Sequence, residues 1–292
     1  MNLKDKTVVI TGATAGIGYQ TTLDFARTGA FVIGVGRSPQ RCDEARQKIM
    51  QAVPHARLEF LTADLSSQRQ VRTLSDEIGK TLNAHHFVQL DVLVNNAGVY
   101  MGKKVFSQEG IETTFAVNHL APFLLTHLLL PLLEKADSGR VITVSSDSHY
   151  RTWFSPERAK NPIVFFGLSA YKVSKLSNVL FSAEFNRLHQ DTRIHAFAVD
   201  PGLVNTEIGM KDTGGLAKLV WRGRKNLGVL PEVPSKTILF LAAEDAVVQS
   251  PSVYWHECKP KKPSRAAGDE SLARRLWIES CKLTGVDKSK GE

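Results

Sequence analysis

Short runs of β-branched and apolar residues recur along this chain, each followed by a segment long enough for a helix, and few folds accept that order. The runs are Thr7–Thr11, Ala30–Val35, Arg57–Thr62, Asp91–Asn95, Arg140–Ser145, Arg193–Val199 and Ser252–His256. Most are continuously apolar rather than alternating, the pattern of parallel strands covered on both faces. Helix-length segments between them include Gly16–Thr28, Ser66–Leu82, Ile111–Lys135 and Ser169–His189. Strand and helix in alternation predict an α/β fold, a Rossmann-type, doubly wound parallel sheet with helices on both faces. No Pro/Gly/Ser-rich linker divides the 292 residues, so one domain over residues 1–292 is expected. Two stretches break the rhythm, 150–168 and 206–229. Long insertions after strand ends in such folds tend to overlie the ligand crevice.

The first strand runs directly into Thr11-Gly12-Ala13-Thr14-Ala15-Gly16-Ile17-Gly18, and a helix follows. Glycines permit a tight turn and close approach of backbone to a diphosphate, and the helix N-terminus offers free N–H groups with partial positive charge. Gly12, Thr14, Gly16, Ile17 and Gly18 are therefore candidate cofactor residues. The second strand leads into Gly36-Arg37-Ser38, with Arg37 where an acidic residue would bind an adenosine ribose. A guanidinium suits a 2′-phosphate, so NADP(H) is expected over NAD(H). After the third strand, Asp64 is placed to meet an adenine amino group or to close a turn, with Leu65 beside it. The fourth strand ends Asn95-Asn96-Ala97-Gly98, where small residues let backbone lie against a flat ring.

Tyr171 and Lys175 stand at i and i+4 and share a helix face. A neighbouring cation should lower the phenol toward a useful proton-transfer range. Tyr100 also has a lysine four residues on, Lys104, but no helical pattern surrounds it. The fifth strand delivers Ser145-Ser146 to the edge where such sheets bind ligands. Asn118 is an amide within an apolar helical stretch, and Asp200-Pro201-Gly202-Leu203-Val204-Asn205-Thr206 forms a stiff turn after the sixth strand.

In this order, Thr11–Gly18, Asn95–Gly98, Asn118, Ser146, Tyr171 with Lys175, and Pro201-Gly202 resemble the short-chain dehydrogenase/reductase family. The resemblance covers about residues 5 to 285. The interval from Ser146 to Tyr171, Arg37, Val117-Asn118-His119-Leu120 and the tail Asp269–Trp277 look like its retinol dehydrogenase-like branch. That resemblance implies interconversion of an apolar alcohol and its aldehyde or ketone with NADP(H). Tyr171 would be the general acid/base and Ser146 would bind the substrate oxygen. Lys175 would hold the nicotinamide ribose and tune Tyr171, and Asn118 would support a relay water. Pro201, Gly202, Val204 and Thr206 would meet the nicotinamide end. A homodimer or homotetramer through the helices at 111–135 and 169–189 is expected by the same analogy. The alternative is an NADP(H)-binding sensor or scaffold without turnover.

Composition narrows the classes. At 42% hydrophobic and 23% charged residues the chain is globular, not collagen-like or disordered, and its three separated cysteines give no disulfide framework. Nine scattered histidines supply no metal-ligand set. The net charge of +8 raises the question of nucleic acid. The densest basic run, Lys259 to Arg265, is Pro-interrupted without aromatic interleaving and reads as a solvated turn, so no nucleic-acid partner is expected. The N-terminal residues form no apolar leader, and Pro122–Leu133 is short of the ~20 residues of a membrane span. A cytoplasmic setting follows, with peripheral membrane contact left open.

Overall fold

The computed structural model describes residues 3–152, 154–204 and 228–287. The apolar runs become β1 (Thr7–Thr11), β2 (Phe31–Gly36), β3 (Arg57–Thr62), β4 (Val92–Asn95), β5 (Gly139–Val144), β6 (Ile194–Val199) and β7 (Tyr254–His256). They align in the order β3-β2-β1-β4-β5-β6-β7, every neighbouring pair parallel. A strand not anticipated from the sequence, β8 (Lys259–Pro260), pairs antiparallel with β7. β1 lies between β2 and β4, so the winding reverses there and a crevice opens at the carboxyl ends of these strands.

Among the described residues, seven helices of twelve residues or more flank the sheet: α1 (Gly16–Arg27), α2 (Pro39–Ala52), α3 (Gln68–Ala84), α4 (Ala121–Leu133), α5 (Gly167–Leu188), α6 (Glu232–Ala243) and α7 (Glu270–Thr284). α3 shows why such segments dock: Val71, Leu74, Ile78 and Leu82 recur at helical spacing and are all buried. Each such side chain contributes ~2 kcal/mol of transfer free energy. One face of the sheet is covered by α3, α4 and α5, the other by α1, α2 and α6.

The packing bears on two expectations. The apolar stretch is part of a continuous helical segment, Thr113–Leu133, of 21 residues, long and apolar enough to cross a membrane, yet 78% of its apolar window is buried inside the protein. Its apolarity is therefore already used in packing. The faces of α4 and α5 offered to a second copy are also partly occupied from within. α7 lays Trp277 at 5.1 Å from the ring of Phe123 in α4 and 6.0 Å from that of Phe181 in α5.

Candidate active site

The turn from β1 to α1 is built for close backbone approach. Gly12 has φ +68°, and a Cβ there would stand 2.9 Å from both Ala97 Cα and Asn96 Nδ2. A Cβ on Gly18, in the first turn of α1, would strike the Gly12 carbonyl and the Asn96 amide. Ala15 at the N-cap supplies no capping hydrogen bond, and no acidic residue stands in the first turn. The helix therefore presents uncapped N–H groups and an uncompensated positive end to the crevice, as an anionic diphosphate requires. Of the neighbours, Thr14 is half-buried and Ile17 is packed in the core.

Asn96 holds this turn in place. Its Nδ2 donates to the carbonyls of Thr11 (2.9 Å) and Gly12 (3.3 Å). Thr11 Oγ1 accepts from the backbone N–H groups of Asn96 (3.0 Å) and Ala97 (3.1 Å) and donates to the Val94 carbonyl. The Asn96 side chain is thus engaged in tying two strand ends together, and Thr11 does as much from the other side. The sequence marks Thr11 only as the start of the glycine turn; its role depends on a partner 85 residues away.

Toward the adenosine side, Arg37 is exposed just past the end of β2. Asp64 Oδ1 accepts from Ser66 N (2.9 Å) and Ser66 Oγ (2.8 Å), closing the turn after β3. Leu65 beside it is half-buried.

At the other side of the crevice the two serines part. Ser145 Oγ is buried and donates to the Lys175 carbonyl (2.7 Å), whereas Ser146 is half-buried and its Oγ accepts from Ser148 N (3.1 Å). Lys175 Nζ donates to the Val144 carbonyl (2.9 Å) and sits 5.4 Å from the centroid of the Tyr171 ring. The Tyr100 ring lies tilted at 6.0 Å from that of Tyr171, so the tyrosine set aside on pattern stands beside the same site.

Asn118 enters through an irregularity that no periodicity announces. Residues Ala116–Leu120 form a π-helical turn between Thr113–Phe115 and α4, a wider turn found often at functional sites. There Asn118 Oδ1 accepts from Val99 N (2.7 Å), and its Nδ2 donates to the Val99 carbonyl (3.0 Å) and Ser174 Oγ (3.0 Å). A Cβ on Gly98 would lie 3.5 Å from Asn118 Oδ1 and 3.6 Å from Lys175 Nζ. Gly98, Asn118 and Lys175 therefore meet around one point.

The electrostatics correct one expectation. Tyr171 is pushed above the ordinary phenol range, first by burial and then by the carboxylates of Asp147 and Asp200. Lys175 is itself pushed down to about 8 by burial, and its ammonium is engaged by a carbonyl. Burial and the two carboxylates act in the same direction, so the phenol is held protonated.

The turn after β6 brings Pro201, buried, and Gly202, with φ +71°, to the same edge. Gly202 N donates to Asp200 Oδ1 (3.0 Å), and Val204 forms a bridge with Val229. Thr206 and residues 205–227 lie outside the described residues. Asp200 is buried and ion-paired with Lys261, a partner absent from every motif. Among the described residues no group of three His, Cys, Asp or Glu side chains could hold a metal ion.

Comparison with known proteins identifies the family and the fold. A family model described as short chain dehydrogenase matches residues 6–215. Dehydrogenase/reductase SDR family member 13 of Bos taurus is 34% identical, over 98% of this chain and 74% of that protein. Human retinol dehydrogenase 13 is 32% identical, over 97% of this chain and 85% of its own length. A crystal structure of an uncharacterized protein from Mycobacterium paratuberculosis superposes with TM-score 0.74 at 29% identity, covering 97% of this chain and 95% of that one.

Proposed function

The chain belongs to the short-chain dehydrogenase family, in its retinol dehydrogenase-like branch, and from that premise we propose that it interconverts an apolar alcohol and its aldehyde or ketone with NADP(H). The observation that carries this reading is Lys175, which sits 5.4 Å from the Tyr171 ring, meets Asn118 around Gly98 and donates to the Val144 carbonyl two residues before Ser146. A binding module without chemistry has no use for that cluster.

Gly12, Thr14, Gly16, Ile17 and Gly18 would cradle the diphosphate, and Arg37 would pair with the 2′-phosphate. Asp64 and Leu65 would meet the adenine, and the Asn96-Ala97-Gly98 backbone would lie against the cofactor. Pro201, Gly202 and Val204 would close the nicotinamide end, with Thr206 assigned there by the family resemblance alone, and Lys175 would donate to the ribose hydroxyls. The nicotinamide, when bound, supplies or accepts the hydride. The rest is proton handling. Ser146 Oγ donates a hydrogen bond to the substrate oxygen. Tyr171, held protonated by burial and two carboxylates, gives its proton to that oxygen in reduction and recovers it in oxidation. Asn118 supports the water through which the proton is replaced.

The apolar character of the substrate is supported by the segment that leads into α5. Ile163, Val164, Phe166 and Leu168 are all exposed there, and a cleft beside them is lined by Phe115, Phe154 and Phe165. Self-association, expected from the family through α4 and α5, would have to use the surface that α7 leaves uncovered.

Oxidation of NADPH and NADH across a panel of apolar aldehydes and ketones tests the reading. Turnover with NADPH preferred is expected. Cofactor binding without turnover would favour the sensor or scaffold, and clearly tighter NADH binding would overturn the role of Arg37.

A further inference from the structure

In the basic run after β7, Lys259, Lys262 and Arg265 are exposed as a solvated turn requires, but Lys261 turns inward. β7 and β8 are joined through Glu257 and Cys258, both left-handed at φ 47° and 59°, so the chain doubles back tightly. Lys261 N then donates to the Tyr254 carbonyl (2.8 Å), and Lys261 Nζ forms its ion pair with Asp200. The other oxygen of that buried carboxylate accepts from Gly202 N (3.0 Å). The next residues turn toward the loop after β5. Tyr150 OH donates to the Lys262 carbonyl, and Ser264 N donates to His149 Nε2 (3.1 Å). His149 Nδ1 lies 2.7 Å from the Ser146 carbonyl.

These contacts fix the state of His149. An amide N–H can only donate, so Nε2 accepts, and Nδ1 carries the hydrogen that reaches the Ser146 carbonyl. The imidazole is fully buried, 5.0 Å from the ring of Tyr254 and 4.4 Å from that of Tyr150. Burial also favours the neutral form, pulling its pKa down; Asp147 and Asp200 oppose this shift, and Lys261 adds to it.

We propose that residues 259–264 form a positioning strap for the active site, with His149 setting the backbone of Ser146 and Lys261 setting the Asp200-Pro201-Gly202 turn. The strap rests on the reading in which Ser146 binds the substrate oxygen and that turn closes the nicotinamide end. One segment thereby spans both groups, and the hydride partners meet only if the two stay in register.

Two pairs of variants test it. His149→Phe keeps the buried volume and loses both hydrogen bonds; His149→Asn keeps a donor near the Nδ1 position. Lys261→Met removes the charge, and Lys261→Arg restores it. In cofactor-free protein, hydrogen exchange at Gly202 should quicken in Lys261→Met alone, and exchange at Ser148 in His149→Phe alone. With NADPH, His149→Phe should lower kcat about tenfold with the cofactor Kd within about twofold, and His149→Asn should recover most of it. Lys261→Met should raise the NADPH Kd about tenfold, and Lys261→Arg should reverse that. Wild-type exchange, kcat and Kd in both deletions would overturn the strap. So would parallel losses in kcat, Kd and Tm that neither conservative variant rescues. If the wild-type protein binds NADPH but reduces none of the carbonyls, the oxidoreductase reading fails. Exchange and cofactor affinity then still decide the strap.

Discussion

The two sides of the crevice are held by different means. On the β1/β4 side, backbone lies against backbone: glycines at 12 and 18 leave room for neighbouring main chain, and Thr11 and Asn96 staple adjacent strand ends. On the β5/β6 side the same work falls to buried polar side chains, with Lys175 on a carbonyl, Asp200 against Lys261 and His149 between two peptide groups. The first arrangement has almost no freedom to titrate. The second is made of groups whose charge and pKa depend on what surrounds them, which is what proton transfer needs.

The sharpest way to break this contrast is Tyr171→Phe, which removes the proton donor and leaves the glycine side intact. Turnover should fall about 10³-fold while NADPH affinity stays within about twofold, read by steady-state kinetics and by calorimetry. Gly18→Ala attacks the other side. Its Cβ would collide with the Gly12 carbonyl, so NADPH affinity should drop about 100-fold and Tm should fall with it. Thr11→Val asks how much of the staple is hydrogen bonding. The isostere leaves the Ala97 N–H without its acceptor and the Asn96 N–H with the Val94 carbonyl alone, and should cost about 2 kcal/mol in urea denaturation. Arg37→Glu should shift the ratio of NADPH to NADH affinity about tenfold or more toward NADH with kcat unchanged, since Arg37 is exposed and remote from the proton chemistry.

The smallest effect is a pH dependence. Lys175, pushed down to about 8, is charged below that pH and loses its proton as the pH rises through it. NADPH affinity should therefore weaken several-fold between about pH 7 and 9 by this group. Lys175→Met should bind more weakly throughout and show no such slope. A flat profile in the wild-type protein would mean that the Lys175 charge contributes nothing to cofactor affinity.

Much of this was legible in the chain. Apolar runs such as Val8-Val9-Ile10, short and β-branched, read as parallel strands covered on both sides, and the spacing of Val71, Leu74, Ile78 and Leu82 is a helix stripe wherever it packs. The glycine turn and the Tyr171/Lys175 pair are local patterns, so they survive being read in one dimension. Asn118 was visible as a misplaced amide, but not the π-helical turn that aims it at Val99, because one extra residue in a turn leaves no periodic trace. The direction of the Tyr171 shift was likewise hidden: spacing reveals the lysine at i+4, but desolvation is a property of what the fold piles on top.

The +8 balance makes the same point. Its sign and size are fixed by the list of residues, and so are the order of strands and helices, the glycines of the phosphate turn and the acid/base candidates. None of these says where a charge is spent. Lys261 sits in a run that looks solvated, and it becomes a buried carboxylate's partner only because the β7–β8 turn reverses the chain beneath the β6 edge. Local pattern dictates what each segment can be, because backbone sterics and side-chain periodicity act over a few residues. Which polar groups lose water, and which partner each then finds, depends on contacts between residues tens to hundreds of positions apart.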